Sequence, residues 1–504
     1  MSATSTGSIP VTASRSSSGP VLGPKETRLI WLLLAAAFVA ILNETTMGVA
    51  IPHLIDDLGI TALDAQWLTT AFMLTMAVVI PITGFLLQRF TTRSMFLTAM
   101  SLFSLGTLLA FLSPGFSMLV GARVVQASGT AIMMPLLMTT LMTLVPPQAR
   151  GRMMGRVSVV ISLAPAIGPT VSGVLLDTVG WRWIFGLVFP IAILALIAGA
   201  RWMVSVGEPR RLPIDAPSVV LSALGFGGIV FGLSQIGGAA SHGGDVDAAA
   251  AASGSLTSLV VALVVGVLAL GTFIWRQLRL QQRDAALLDL RVFRSRNFTL
   301  AVTQFLLISL AFFGAITVIP LYMQRVLDVS AFVTGIVVLP GALAMGLLGP
   351  IIGRIYDKHG PRVLLVPGSI LASGMLWFFT TLDAGTPVWV IAIGQTALSV
   401  GLALSFTPLF SSSLGSLEPR YYSYGSAIVS TIQQVAGAAG IALMITVMSG
   451  VATTAIAGGA AEVAAEAAGT RVAFLLAAIV ATPTILLSFF IRKPADAPVA
   501  TGAH

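Results

Sequence analysis

Two ionisable residues interrupt long apolar runs, and chemistry is most readily expected of them: Glu44 in Ala40-Ile41-Leu42-Asn43-Glu44-Thr45 and Arg123 in Val120-Gly121-Ala122-Arg123-Val124-Val125. An ionisable group inside a membrane span costs a few kcal/mol on insertion scales, so each one needs a partner or a task. Glu44 stands about seven residues before the outer end of its run and Arg123 about seven after the outer start of its own, so both lie roughly 10 Å below the same surface. A carboxyl in low-dielectric surroundings near a guanidinium can bind or release a proton as its environment changes. Glu44 and Arg123 are therefore the first candidates for a charge-dependent task. Further polar or aromatic groups in apolar runs are candidate ligand contacts: Gln126, Gln304, Tyr322, Gln395, Gln433 and Gln434, with Phe72 and Met73. Apolar walls with a few polar groups suit bulky amphipathic ligands. His53 falls near the outer mouth, where surface exposure is its expected state.

The elements that hold these groups must be helices in lipid. Of 504 residues, 56% are hydrophobic and only 9% charged, a mixture from which no water-soluble globular protein is built. Spanning a hydrocarbon core of roughly 30 Å takes about 20 apolar residues. Continuous runs such as Leu29 to Ala40 and Leu256 to Ile274 lack the alternation of barrel strands. Candidate spans are 28–51, 65–87, 95–113, 116–143, 153–176, 183–204, 218–238, 256–275, 298–323, 331–353, 363–382, 387–412, 425–449 and 471–491, about fourteen in all, with both termini on one side. The absence of cysteine excludes disulfides and thiolate metal sites. With no His/Asp/Glu metal cluster, nucleophile motif or phosphate loop, an embedded enzyme is disfavoured and no cofactor is expected.

Charge distribution sets an expected orientation. If the termini are cytoplasmic, about 23 of the 27 Lys and Arg fall in the tails and inward loops, leaving Arg182, Arg325 and Arg471 outside and Arg123 within a span. Acidic residues such as Asp56, Asp57, Asp64, Asp245, Asp247, Asp328, Glu462 and Glu466 gather outside. The formal charge of +8 thus reflects loop topology and gives no reason to expect nucleic acid. Residues 1–27, with their Ser/Thr/Gly-rich start, read as a disordered cytoplasmic tail, and 492–504 as a second tail. Gly237 to Gly254 and Gly450 to Gly469 are Ala/Gly-rich and expected to be mobile. Between Arg276 and Asn297, basic residues alternate with Leu287, Leu288, Leu290, Val292 and Phe293, a pattern that suits a helix in the headgroup layer.

An internal repeat organises the rest. Gly84-Phe85-Leu86-Leu87-Gln88-Arg89-Phe90-Thr91-Thr92-Arg93 follows the second span, and Gly353-Arg354-Ile355-Tyr356-Asp357-Lys358-His359-Gly360-Pro361-Arg362 follows the tenth. The chain therefore reads as a six-helix bundle (28–204), an inserted pair with its linker (205–297) and a second six-helix bundle (298–491).

These loops resemble the signature Gly-x-Leu-x-Asp-Arg-x-Gly-Arg-Arg of the major facilitator superfamily. The second copy matches through Gly353, Asp357, Lys358, Gly360 and Arg362; the first is degenerate, with Gln88 at the acidic position and Thr91 at a glycine. Arg123-Val124-Val125-Gln126-Ala127-Ser128-Gly129 is similar to the family's Arg-x-x-Gln-Gly-x-Gly, and Ala164 to Gly173, containing Gly168 and Pro169, to its antiporter signature. Leu42-Asn43-Glu44-Thr45 resembles the Leu-Asp-x-Thr motif of fourteen-helix drug/proton antiporters of the EmrB/QacA type, and Trp181 to Phe185 a further string of that branch. Within it, Asn43 in place of aspartate and the Thr92-Arg93 turn resemble lincomycin-resistance exporters.

The resemblance implies an all-α major facilitator fold in the bacterial plasma membrane and efflux of drug-like molecules coupled to inward proton flow, by a monomer without an adaptor that can be read from sequence. It places the Glu44 and Arg123 helices side by side, which makes Glu44 a candidate proton carrier and Arg123 the cation that tunes it; the alternative is a static ion pair that fixes helix packing. Asn43, standing where the family has aspartate, joins the candidate substrate contacts. Gly168 and Pro169 would form a bent, tightly packed seam, since proline removes a backbone hydrogen bond and glycine admits a neighbour. Asp357, with Arg354, Lys358 and Arg362, would latch against an adjoining helix end in the outward-open state, and neutral Gln88 would make the first-half latch weaker. Gly353 belongs to the same turn. Export of a lipid or endogenous metabolite on the same scaffold is the competing expectation.

Overall fold

The computed structural model describes residues 23–206, 213, 215–240 and 248–494. The tail before Gly23, Arg210, Arg211, Asp245, Asp247 and the tail after Pro494 lie outside the described residues. Fifteen α-helices run in order: α1 (Pro24–Leu58), α2 (Ala62–Arg89), α3 (Thr92–Phe111), α4 (Phe116–Leu144), α5 (Arg150–Thr178), α6 (Arg182–Trp202), α7 (Ala216–Ala240), α8 (Ala248–Leu280), α9 (Arg296–Arg325), α10 (Ala331–His359), α11 (Arg362–Phe379), α12 (Val388–Gly415), α13 (Tyr422–Ala457), α14 (Glu462–Ala481) and α15 (Pro483–Phe490). Pro483 divides the last span into α14 and α15, and among the described residues 14 helical segments are long and apolar enough to cross a membrane. No strand occurs among the described residues.

Local signals fix the helix starts. Pro24 occupies the first turn of α1, so the final residues of the expected tail are helical. Thr61 and Asp64 form a reciprocal cap on α2, while Thr91, Ser295 and Ser330 accept from backbone amides at the starts of α3, α9 and α10.

The helices form two six-span bundles, α1–α6 and α9–α15. In the first, α1 packs on α4, α5 and α6, and α3 on α4; in the second, α9 packs on α12, α13 and α14, and α11 on α12. Lipid offers no hydrophobic drive between helices, so small residues and close backbones carry the packing. Gly129 of α4 sits against Ala99 and Phe103 of α3, as Gly401 of α12 sits against Gly368 and Ala372 of α11. That correspondence is the sequence repeat expressed in packing.

The α7–α8 hairpin is the inserted pair. Helix α7 leans on both α2 and α13, where Ala77, Val230 and Ala438 make a shared apolar cluster. A polar knot ties the hairpin at its basic end. Arg276 donates from Nε and Nη2 to the two Asp215 carboxylate oxygens, both at 2.7 Å, and Ser218 also donates to Asp215. The Arg276 hydrogen bonds, helped by Ser218, hold the Asp215 carboxyl down to about 2.

Two expectations need correction. The linker after α8 is no headgroup-layer helix: it makes short 3-10 turns at Gln281–Arg283 and Leu290–Arg294, and Leu287, Leu288 and Val292 are buried in the main core. Its backbone is satisfied by a side chain instead, since Gln277 Oε1 accepts from the Leu287 and Leu288 amides at 2.8 and 3.2 Å. Gly450 to Gly469 is largely helical, because α13 runs on to Ala457 and α14 begins at Glu462. Alanine favours helix strongly, and Arg325 anchors α14 through Glu466 at 3.4 Å.

A carboxyl held below its ordinary value stabilises the fold above that ordinary value, and the stabilisation is lost as pH falls through the lowered one. Asp215→Asn is accordingly expected to lower the thermal midpoint in detergent by a few degrees. The gap from wild type should be constant from neutral pH to about 4 and close as pH approaches about 2.

Candidate functional site

The two bundles meet at the basic end of the molecule. Along α5 and α10, Gly151 lies against Gly353, and Gly155 against Gly349 and Pro350, so closely that a Cβ at these glycines would collide with the opposite backbone. Each helix thus contributes a Gly-x-x-x-Gly face. Hydrogen bonds between Ser158 and Thr407 at 2.6 Å and between Thr139 and Ser426 at 2.7 Å also cross the interface, and Gly84 of α2 packs on Ser423, Tyr424 and Ala427 of α13. Toward the opposite end, a Cβ added at Gly173 of α5 or Gly335 of α10 would meet no other group within 4 Å. The molecule is closed at its basic end and parted at the other.

Asp357 is the charged element of that closure. Its carboxylate accepts from the Gly151 amide at 2.7 Å and the Arg152 amide at 2.9 Å, capping the free N-terminus of α5 from across the interface. Helix N-termini favour anions, and charge-assisted bonds to amides are stronger than neutral ones. The basic neighbours play no direct part in this cap. Arg354 and Lys358 are exposed, Arg362 donates to the Ile491 carbonyl at 3.2 Å, and Lys493 rather than Lys358 reaches the Asp357 carbonyl, at 2.8 Å. In the first half, Gln88 donates a single neutral bond to the Arg420 carbonyl, at 2.6 Å, just before α13.

Between the bundles, α1, α2, α4 and α13 line a small cavity of about 70 Å³. Its lining includes Glu44, Thr130, Ser430, Gln433 and Gln434 among alanine, isoleucine and methionine side chains, Met76, Met133 and Met134 in particular. Glu44 is half-buried there, on the same face of α1 as Ala37, Ala40 and Ile41. Gly48, a turn further toward the parted end, is exposed, and a Cβ added there would meet no other group within 4 Å. Among the described residues, no ion pair within 4.0 Å and no hydrogen bond engages the Glu44 carboxylate, although the Arg123 charge reaches it through space.

Arg123 is fully buried behind the cavity wall. Its Nη1 donates to Gln126 Oε1 at 2.7 Å, its Nε lies 3.5 Å from the Leu68 carbonyl, and its guanidinium stacks 4.1 Å from the Phe72 ring centre. Gln126 in turn donates to Thr107 at 2.8 Å. The resemblance-based expectation that the Glu44 and Arg123 helices adjoin is met by α1 packing on α4.

The structure thus brings Glu44, Gln433 and Gln434 to one cavity and places the other candidates elsewhere. Gln126 clamps Arg123; Gln304 donates to Ser369 and Ser488, at 3.0 and 2.8 Å, inside the second bundle; the Tyr322 hydroxyl donates to the Asp383 carbonyl at 2.6 Å. Gln395, at the position in α12 that Arg123 holds in α4, is buried with its side-chain oxygen unbonded among the described residues. Asn43 is 1% exposed and neither of its amide atoms has a partner among those residues; it faces away from the cavity lining. Gly168 packs against Thr45 of α1, with Pro169 exposed beside it. His53 is exposed at the parted end, beside Asp56, Asp57, Trp181 and Arg182. Sequence reasoning missed the methionine lining, Thr107 and the α5–α10 glycine pairs; only the last had a legible signal, the four-residue glycine spacing in both helices.

Two helical bundles around a polar-spotted central cavity, closed at one end, are the architecture of a secondary membrane transporter. The chain belongs to the Major Facilitator Superfamily, whose family model matches residues 33–441. It is 40% identical over 470 residues to the lincomycin resistance protein LmrB of Listeria monocytogenes, covering 92% of this chain and 96% of that protein. It is 37% identical over 467 residues to LmrB of Bacillus subtilis, covering 92% and 95%. The human organic anion transporter MFSD10 shares the fold, with a TM-score of 0.63 at 14% identity over 91% of this chain and 100% of that one. The protein is a transporter of this superfamily and not an enzyme.

Removing the Asp357 charge should loosen the closed end. Asp357→Asn is expected to move the equilibrium toward the state open at the basic end by about 5–30-fold, the equivalent of about 1–2 kcal/mol. Spin labels at Gln148→Cys and Lys358→Cys, in a chain that has no other cysteine, would report it as a longer distance population.

Proposed function

We propose that the protein exports small amphipathic compounds from the cytoplasm in exchange for protons, by alternating access. The observation that carries this reading is the Glu44 carboxylate, half-buried in a largely apolar cavity and free of any bonded cation among the described residues. Such a group can take a proton while the cavity faces an acidic side and give it up when the bundles rock. Apolar and methionine walls supply affinity for varied shapes, while Gln433 and Gln434 orient polar substituents.

Orientation follows from the basic loops. With about 23 of the 27 Lys and Arg on one side, that side is cytoplasmic, both termini included, and the described state is open outward. Residues 28–204 and 298–491 move as the two bundles, with 205–297 carrying the inserted hairpin. The Asp357 cap and the glycine seam of α5 and α10 hold the cytoplasmic end shut, and the Gly168 contact with Thr45 keeps α1 and α5 together as they tilt. Relatives named for lincomycin resistance make that antibiotic the first compound to assay. The working unit is a monomer in the bacterial plasma membrane, driven by the proton gradient with no cofactor.

In everted vesicles from an efflux-deficient host, an imposed pH gradient, acid inside, should drive substrate accumulation. Glu44→Gln, present in the membrane at wild-type level, is expected to reduce that accumulation to background. Undiminished gradient-driven uptake by this variant would remove Glu44 from the mechanism.

A further inference from the structure

Arg123 is close enough to Glu44 to act on it electrostatically, yet it is bonded to other groups. Helix α2 supplies two of its anchors from successive turns, the Leu68 carbonyl at 3.5 Å and the Phe72 ring at 4.1 Å. The third is Gln126, itself fixed to Thr107. Arg123 and Phe72 are each 1% exposed, so the cation and the ring face interact without intervening water. A desolvated cation–π contact is strong enough to compete with a carboxylate for a guanidinium.

From this geometry we propose that Phe72 is a positioning residue for proton coupling: it holds Arg123 off Glu44 while the cavity is open at its far end, leaving the carboxylate unpaired. The inference rests on Glu44 being the proton carrier. Helix α2 is also one of the helices on which the bundles meet, through Gly84 against α13. Rearrangement of α2 as the bundles rock shifts Leu68 and Phe72 relative to α4, freeing Arg123 to turn to Glu44 and displace its proton toward the other side.

No other charge lies level with this pair. The remaining charged or titratable groups of α1 are near its ends, Lys25, Glu26 and Arg28 at one and His53, Asp56 and Asp57 at the other. Helix α2 has Asp64 and Arg89 at its ends, α5 has Arg150, Arg152, Arg156 and Asp177, and α6 has Arg182 and Arg201. Helix α13 carries only Tyr422 and Tyr424, at its basic end, and α4 carries Arg123 alone. His53 is nine residues from Glu44, roughly 13 Å along the helix.

The test is the pH, on the side opposite the basic end, at which lincomycin export by proteoliposomes is half-maximal. Phe72→Leu keeps the bulk and removes the ring, so Arg123 is free to favour the charged carboxyl and more acid is needed to load it. The half-maximum should move about one unit lower. Phe72→Tyr, which keeps the ring face, should stay within a few tenths of wild type. Gln126→Leu, which removes another anchor, should move the half-maximum in the same direction as Phe72→Leu and serves if that variant does not accumulate. An unchanged half-maximum in the Leu variants, or an equal shift in Phe72→Tyr, overturns the proposal. Failure of the underlying reading looks different, because Glu44→Gln would then retain wild-type pH dependence.

Discussion

A charge cannot rest unpartnered in hydrocarbon without cost, and this constraint organises the structure. Arg123 meets it completely, with a carbonyl, an amide side chain and an aromatic face around its guanidinium. Glu44 meets it only in part, because it lies at a cavity edge and is not locked to the cation nearby. A fully paired carboxylate would fix the helices and do nothing more. On the mechanism proposed above, one with incomplete compensation has an ionisation that responds to which end of the cavity is open, and the rest of the molecule serves to switch that opening.

The closed end is built from close backbone approach and a single helix cap. Glycines on α5 and α10 bring two helices near enough for extensive van der Waals contact, and Asp357 adds charge-assisted bonds to the start of α5. The related corner of the first half has only the neutral bond from Gln88, so the closure is stronger on one side of the pseudo-symmetric interface than on the other. Deeper along that weaker side, near mid-helix, α7 lies over both α2 and α13 through Ala77, Val230 and Ala438.

The membrane spans, the repeat and the adjacency of the Glu44 and Arg123 helices were legible in the sequence because they depend on residue type, position along an axis and the family resemblance. Rotation about that axis was not. Gln126, Gln304 and Tyr322 look like ligand contacts when only polarity in an apolar run is considered, yet each is spent on a bond to a neighbouring helix or loop. Asn43 and Glu44 are adjacent in sequence but point about 100° apart, and only Glu44 reaches the cavity. The linker after α8 misled for a related reason: its apolar residues suit a lipid surface and a protein interior equally, and the bonds that tie it to the interior come from Gln277, ten residues before Leu287.

Proton release on ligand binding is the most direct measurement of whether Glu44 exchanges a proton for substrate. Purified protein in weakly buffered detergent, at a pH where Glu44 is protonated, is titrated with a transported compound while pH is recorded. The account predicts release of a proton for each molecule bound, and none from Glu44→Gln although that variant still binds the compound. Binding by the wild type without proton release, or equal release by the variant, would contradict it.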